Sequence, residues 1–137
     1  LSLAEKNDPK AVDLMMDFAH GPSGHFGGHP VPGLYHMNTG SMLVQSKEIK
    51  DTLGVDFRAC QNYTNGFNAA KTLNLPTLSI LADQDRMCRL KDGQKLADHI
   101  NNSQVHIIKN CGHMMLLEEA DQTLAILKKF IKTNFPA

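Results

Sequence analysis

The spacing of apolar residues changes near Leu75-Pro76, and that change divides the chain into two stretches. Before it, Ala11, Val12, Leu14, Met15, Met16, Phe18 and Ala19 cluster with helical rather than alternating periodicity, which predicts a helix. Gly21 to Gly33 follows with five glycines, three prolines and two histidines, the composition of a structured loop. A short helix is expected from about Leu34 to Ser46. From Asp51 onward, Leu53, Phe57, Cys60, Tyr63, Phe67 and Ala70 recur every three or four residues. That spacing predicts one amphipathic helix with Cys60 on its buried stripe.

After Pro76 the rhythm becomes strand, helix, strand, helix. Thr77-Leu78-Ser79-Ile80-Leu81-Ala82 is short, apolar and partly β-branched, which suits a buried parallel strand with proline tolerated at its opening. A helix from about Leu90 to Ile100 places Leu90, Gly93, Ala97 and Ile100 on one side, and Asn101-Asn102 breaks it. Val105-His106-Ile107-Ile108 is the second expected strand. Leu117, Ala120, Leu124, Leu127 and Ile131 then mark one stripe of a long final helix that ends before Pro136.

Two parallel strands joined by a helical crossover form a βαβ unit, right-handed almost without exception. The fold class is therefore α/β, with a helical segment over residues 1–74 and a βαβα unit over residues 75–137. Parallel sheets are covered on both faces, and two strands alone leave open edges and uncovered apolar surface. The expectation is a part of a larger sheet, which either self-associates or pairs with an N-terminal half outside these residues.

Composition narrows the function classes. Lys plus Arg number 14 and Asp plus Glu number 14, so the charge excess that nucleic acid or an anionic membrane would require is absent. The hydrophobic fraction of 42% and charged fraction of 20% are those of an ordinary soluble domain. Cys60, Cys88 and Cys111 are scattered, odd in number and outside any CxxC pair, which fits a reducing, cytoplasmic compartment. No apolar run approaches the roughly 20 residues that span a bilayer. No basic-then-apolar leader is visible, and the chain starts at Leu1 rather than Met.

The strongest chemical signal is a pair of strand-end motifs. Ala82-Asp83-Gln84-Asp85-Arg86-Met87 follows the first expected strand. Asn110-Cys111-Gly112-His113 follows the second, with Glu118 five residues further on. Loops beyond the carboxyl ends of parallel strands converge on one crevice, so an acid and a histidine on such loops can meet. A carboxylate at the imidazole Nδ1–H would orient the ring and stabilise the imidazolium formed when it takes a proton from a nucleophile. Gly112 fits a tight turn with no room for a Cβ before the histidine. Taken singly, Asp85 is equally a helix N-cap or a loop acid, and His113 a capping or buried histidine. Their order on consecutive strand ends favours a working pair. Asp83 stays open as an alternative acid, and Glu118 reads as a helix-start residue favoured by the macrodipole.

The stretch from Leu75 to Ile131 resembles the end of an α/β-hydrolase, where strand, Gly-x-x-Asp, helix, strand, Gly-His and helix recur. By that resemblance Asp85 matches the triad acid, His113 the triad histidine, and Glu118 a glutamate often found early in the final helix. The segment of residues 1–74 resembles the lid inserted before the last two strands. Ala82 stands where the family usually has glycine and Arg89 where proline is frequent; neither change removes a catalytic group. The resemblance implies hydrolysis of a small-molecule carboxylic ester or related acyl compound, with no cofactor.

The nucleophile is missing. In this fold it precedes the acid, on a Gly-x-Ser-x-Gly elbow between a strand and a helix, and the sequence holds no such pentapeptide. Gly21-Pro22-Ser23-Gly24-His25 lacks the final glycine and follows an expected helix, so Ser23 reads as a loop hydroxyl. Cys111 lies after the acid on the loop of His113, and Cys60 reads as core. Oxyanion donors would come from the elbow and an earlier loop, so the chain alone is expected to be inactive. His20, His25, His29 and His36 suggest a metal, but the glycines and proline around His25 and His29 argue against a helical ligand pair, and no acidic motif accompanies them. They read as structural or loop histidines. Two other readings stay open: a non-catalytic α/β binding or assembly module, and the same fold acting on epoxide, carbon–halogen or carbon–carbon bonds.

Overall fold

A computed structural model describes residues 1–21 and 52–136. Ser23, His25, His29 and His36, most of the expected Gly21–Gly33 loop and the expected helix near Leu34–Ser46 lie outside the described residues.

The first stretch is helical. Helix α1 (Ser2–Glu5) leads into α2 (Lys10–Ala19), whose start is capped by Asp8 Oδ1 accepting the Lys10 amide at 3.0 Å. Helix α2 buries Ala11, Val12, Met16 and Ala19. The single helix expected from Asp51 is instead two, α3 (Thr52–Asn62) and α4 (Gly66–Lys71). Thr64, Asn65 and Gly66 are poor helix formers, and the Asn65 side chain accepts from Asn68 to start the second piece. Cys60 is exposed rather than buried. The reason is that α3 buries only Gly54, whose backbone lies against Ala4 and Glu5 of α1; Leu53 and Phe57 on the stripe are half-buried, and its far end at Cys60 and Tyr63 is exposed.

The second stretch has the expected alternation. Strand β1 (Thr77–Ala82) pairs in parallel with β2 (Ser103–Ile108), in register from Thr77 opposite Ser103 to Ala82 opposite Ile108. The crossover helix α5 (Leu90–Ala97) buries Gly93 and Ala97, and Gly93 allows β1 to approach: a Cβ there would meet Leu81 Cδ2 at 2.7 Å. Asn102, with φ of 60°, turns the chain into β2.

The expected final helix divides at Glu119 into α6 (Met115–Glu118) and α7 (Ala120–Asn134). Its inward face is not the expected stripe. Thr123 is buried and Ile126 packs on the core, whereas Leu117, Leu124, Leu127 and Ile131 are 40–49% exposed. The Thr123 hydroxyl donates to Met115 O at 3.2 Å and to Glu119 O at 2.8 Å, which fixes the rotation of α7. The leucine stripe is thereby left one residue, about 100°, away from the covered face.

The core sits at the carboxyl end of the sheet. Ala82, Ile108 and Cys111 are fully buried there, with Ile80, Met115 and Ile126 against them. No helix among the described residues is long and apolar enough to cross a membrane.

Candidate active site

Both strands end on this core, and hydrogen bonds carry their alignment into the loops. The Asp83 amide donates to Ile108 O at 3.0 Å, and the Gln84 amide donates to Cys111 O at 3.0 Å. Asn110, at φ 55°, reverses the chain after β2 and brings residues 111–113 back toward the first loop. The two turns are therefore joined through their backbones before any side chain acts.

Asp85 and His113 come together on this frame. His113 Nδ1 lies 2.8 Å from Asp85 Oδ2, and the ionised carboxylate as acceptor places the ring proton on Nδ1. The other oxygen, Oδ1, accepts the amides of Met87 at 2.8 Å and Cys88 at 2.7 Å. Asp85 is thus held by its own turn and by the imidazole at once. Its side chain is 5% exposed, against 39% for His113. The acid is enclosed, and the ring keeps an open edge.

Asp83 turns elsewhere, with Oδ2 3.8 Å from Lys109 Nζ, and makes no hydrogen bond or ion pair with His113. Glu118 does not begin a helix, as its sequence position had suggested, but ends α6. Its Oε2 accepts the amide of Gly112 at 2.8 Å and that of Gly21 at 3.1 Å. Sequence reading missed this link because Gly21 looked like one glycine in a loop of five. The partial signal was Gly112, whose need for space implied a close neighbour.

Cys111 is fully buried, and burial, followed by the nearby Glu118, Glu119, Asp83 and Asp85 carboxylates, pushes its thiol up to about 12. The thiolate is the reactive form, so Cys111 is an inert core residue at neutral pH. Cys88 is exposed, yet partial burial and then Asp85 and Asp92 raise its pKa as well. Iodoacetamide at neutral pH is expected to label Cys60 fastest, Cys88 slowly and Cys111 only after denaturant, as followed by peptide mass spectrometry. Native labelling of Cys111 at the rate of Cys60 would contradict this placement.

His20 is buried, with Nδ1 2.9 Å from Met16 O. Among the described residues no group of three or more His, Cys, Asp or Glu side chains could hold a metal ion. Beside the acid loop, Arg86 lies 4.4 Å over the Phe18 ring and 3.1 Å from Asp17, both on α2. Next to it is a cavity of about 330 Å³ with apolar walls from Leu3, Leu14, Met15, Phe57 and Met87.

No family model matches the chain. Over 62 residues it is 34% identical to a proline iminopeptidase of Lactobacillus acidophilus, covering 45% of this chain and 21% of that protein. Over 59 residues it is 32% identical to the monoacylglycerol lipase ABHD6 of Mus musculus, covering 43% of this chain and 18% of that one. Among solved structures it matches MGS-M2, an alpha/beta hydrolase from a Medee basin deep-sea metagenome library, with a TM-score of 0.80 at 17% identity. That match covers 95% of this chain and 47% of the other. The chain has part of the α/β-hydrolase fold. It spans about a fifth of the length of these curated relatives and about half of that structural neighbour. The α/β-hydrolase architecture present is a helical segment followed by a βαβα unit of the parallel sheet. Asp85 and His113 stand beyond the carboxyl ends of its two strands, where open α/β sheets place their ligands.

Proposed function

We propose that this chain supplies the acid and the base of an enzyme that hydrolyses a carboxylic ester or related acyl compound. One observation carries the reading: the 2.8 Å contact between His113 Nδ1 and Asp85 Oδ2 at the sheet's carboxyl end. With its proton fixed on Nδ1, the imidazole presents the lone pair of Nε2. That lone pair takes the proton of a serine hydroxyl as the serine oxygen attacks the acyl carbon, and the resulting imidazolium faces the Asp85 carboxylate. The proton then passes to the leaving alcohol. In the second half-reaction water loses a proton to Nε2, attacks the acyl-enzyme and releases the acid. The names of the relatives, a peptidase and a lipase, agree with acyl chemistry.

The serine comes from a segment outside these residues, since no Gly-x-Ser-x-Gly occurs here. Residues 1–74 act as the lid, and the apolar cavity beside Arg86 receives part of the substrate. Leu124, Leu127 and Ile131, exposed on α7, together with the open edges of the two-stranded sheet, are the surface that the rest of the sheet covers.

The test compares two polypeptides. A longer protein that contains this chain and an upstream elbow should hydrolyse a p-nitrophenyl ester, and His113→Ala should abolish that turnover. The 137-residue chain alone should be inactive and should self-associate on light scattering. A stable monomer without esterase activity, even when supplied with the upstream half, would favour a binding module instead, and turnover insensitive to His113 would remove that residue from the role of base.

A further inference from the structure

We propose that Glu118 is a positioning residue, and that it and the end of α2 together hold His113 against Asp85. The inference rests on the hydrolase reading of that pair and adds what sets its geometry. His113 is flanked by two residues whose amides are both tied to the end of α2. On one side the Gly112 amide donates to Glu118 Oε2, which also accepts the Gly21 amide. On the other side the Met114 amide donates to Ala19 O at 3.0 Å. The segment Ala19–Gly21 and the segment Gly112–Met114 are therefore stitched together around the histidine.

The stitching leaves no slack. A Cβ on Gly21 would lie 2.6 Å from Gly112 N and 2.9 Å from Glu118 Oε2, so the two backbones touch without side chains between them. Glu118 Oε1 is buried and makes no hydrogen bond. A buried carboxylate oxygen without a partner is costly, so this side chain is held in place by what Oε2 does. Bonds from amides to a carboxylate are charge-assisted and stronger than neutral ones. Helix α2 also reaches the other half of the pair: Asp17 and Phe18 hold Arg86, the residue next to Asp85. The last turn of α2 thus touches both loops and acts as a template for their separation. A displacement of α2 would carry the His113 turn with it.

The experiment reads the Nδ1 proton of His113 by NMR in the labelled 137-residue chain. A proton held between Nδ1 and a buried carboxylate resonates far downfield and exchanges slowly with water. Glu118→Gln keeps the size of the side chain and one acceptor but loses the charge. Gly21→Ala attacks the same clamp from α2, without touching His113. Both variants should keep the circular dichroism of the parent and accelerate exchange of this proton by on the order of tenfold, the scale of one net hydrogen bond. Arg58→Ala, which removes an exposed ion pair to Glu5, should leave it unchanged. A folded Glu118→Gln with unaltered exchange overturns the proposal. So does a Glu118→Gln that fails to fold, because Glu118 would then be a stability residue rather than a positioning one. Absence of the downfield proton in the parent chain would instead count against the hydrolase reading itself, which separates the two failures.

Discussion

Asp85→Asn is expected to lower ester turnover of the complete enzyme by about 10⁴-fold while leaving the fold in place. Asparagine has the shape of aspartate, so the question is which way its amide points. The amides of Met87 and Cys88 converge on Oδ1 at 2.8 and 2.7 Å, and both are donors. Both amides donate, so only an acceptor oxygen suits that position, which forces the NH₂ group toward His113. The ring must then accept at Nδ1, so its own proton moves to Nε2, the atom that has to be bare to activate a serine. The base is switched off by tautomer rather than by distance. Because the local turn is preserved, the stability change should stay near about 1 kcal/mol. Steady-state kinetics with a parallel thermal melt checks both parts, and KM should move little compared with kcat. Turnover within tenfold of the parent would remove Asp85 from the acid role.

The order of elements and the closeness of Asp85 and His113 were legible for a common reason. Each strand is a short apolar run, each loop follows directly, and parallel pairing puts consecutive strand ends side by side. Nothing distant has to be known. The features that escaped depend on contacts between remote parts of the chain. Cys60 sits on a regular apolar stripe, but α3 meets α1 through Gly54 and leaves the Cys60 end of that stripe open. The leucines of α7 share a periodic row, yet the Thr123 hydroxyl and the packing of Ile126 select the adjacent row as the inner one. Where two neighbouring rows are both apolar, periodicity does not say which of them faces the sheet. Glu118 is the sharpest case. Its position near the front of a predicted helix suggested a dipole effect, whereas it binds amides on two separate segments, and one of them belongs to a loop ninety-odd residues earlier.

Gly112→Ala should produce the largest loss of stability among the substitutions considered. The cause is not backbone conformation, since no described glycine has positive φ. It is space. A Cβ at this position would collide with Gly21 N and lie 2.6 Å from His20 C and 2.8 Å from Glu118 Oε1. Two of these are main-chain atoms, and the third belongs to a buried carboxylate, so no flexible apolar tip can swing aside. Either the His113 turn must move, which strains the Gly112–Glu118 hydrogen bond, or the end of α2 must move, which strains the Gly21–Glu118 and Met114–Ala19 bonds. Overpacking of this kind combined with a lost buried hydrogen bond costs about 3 kcal/mol. For a chain of this size that lowers Tm by roughly 10 °C. Gly66→Ala is the matched control, because its Cβ would meet only the Tyr63 ring, at 3.5 Å, and α4 gains a better helix former. Denaturant titration of the two variants should therefore give opposite results, a large loss at 112 and no loss at 66. Equal stability of the two proteins would mean that the backbones of Gly21 and Gly112 are not in contact, and the link between α2 and the histidine would go with it.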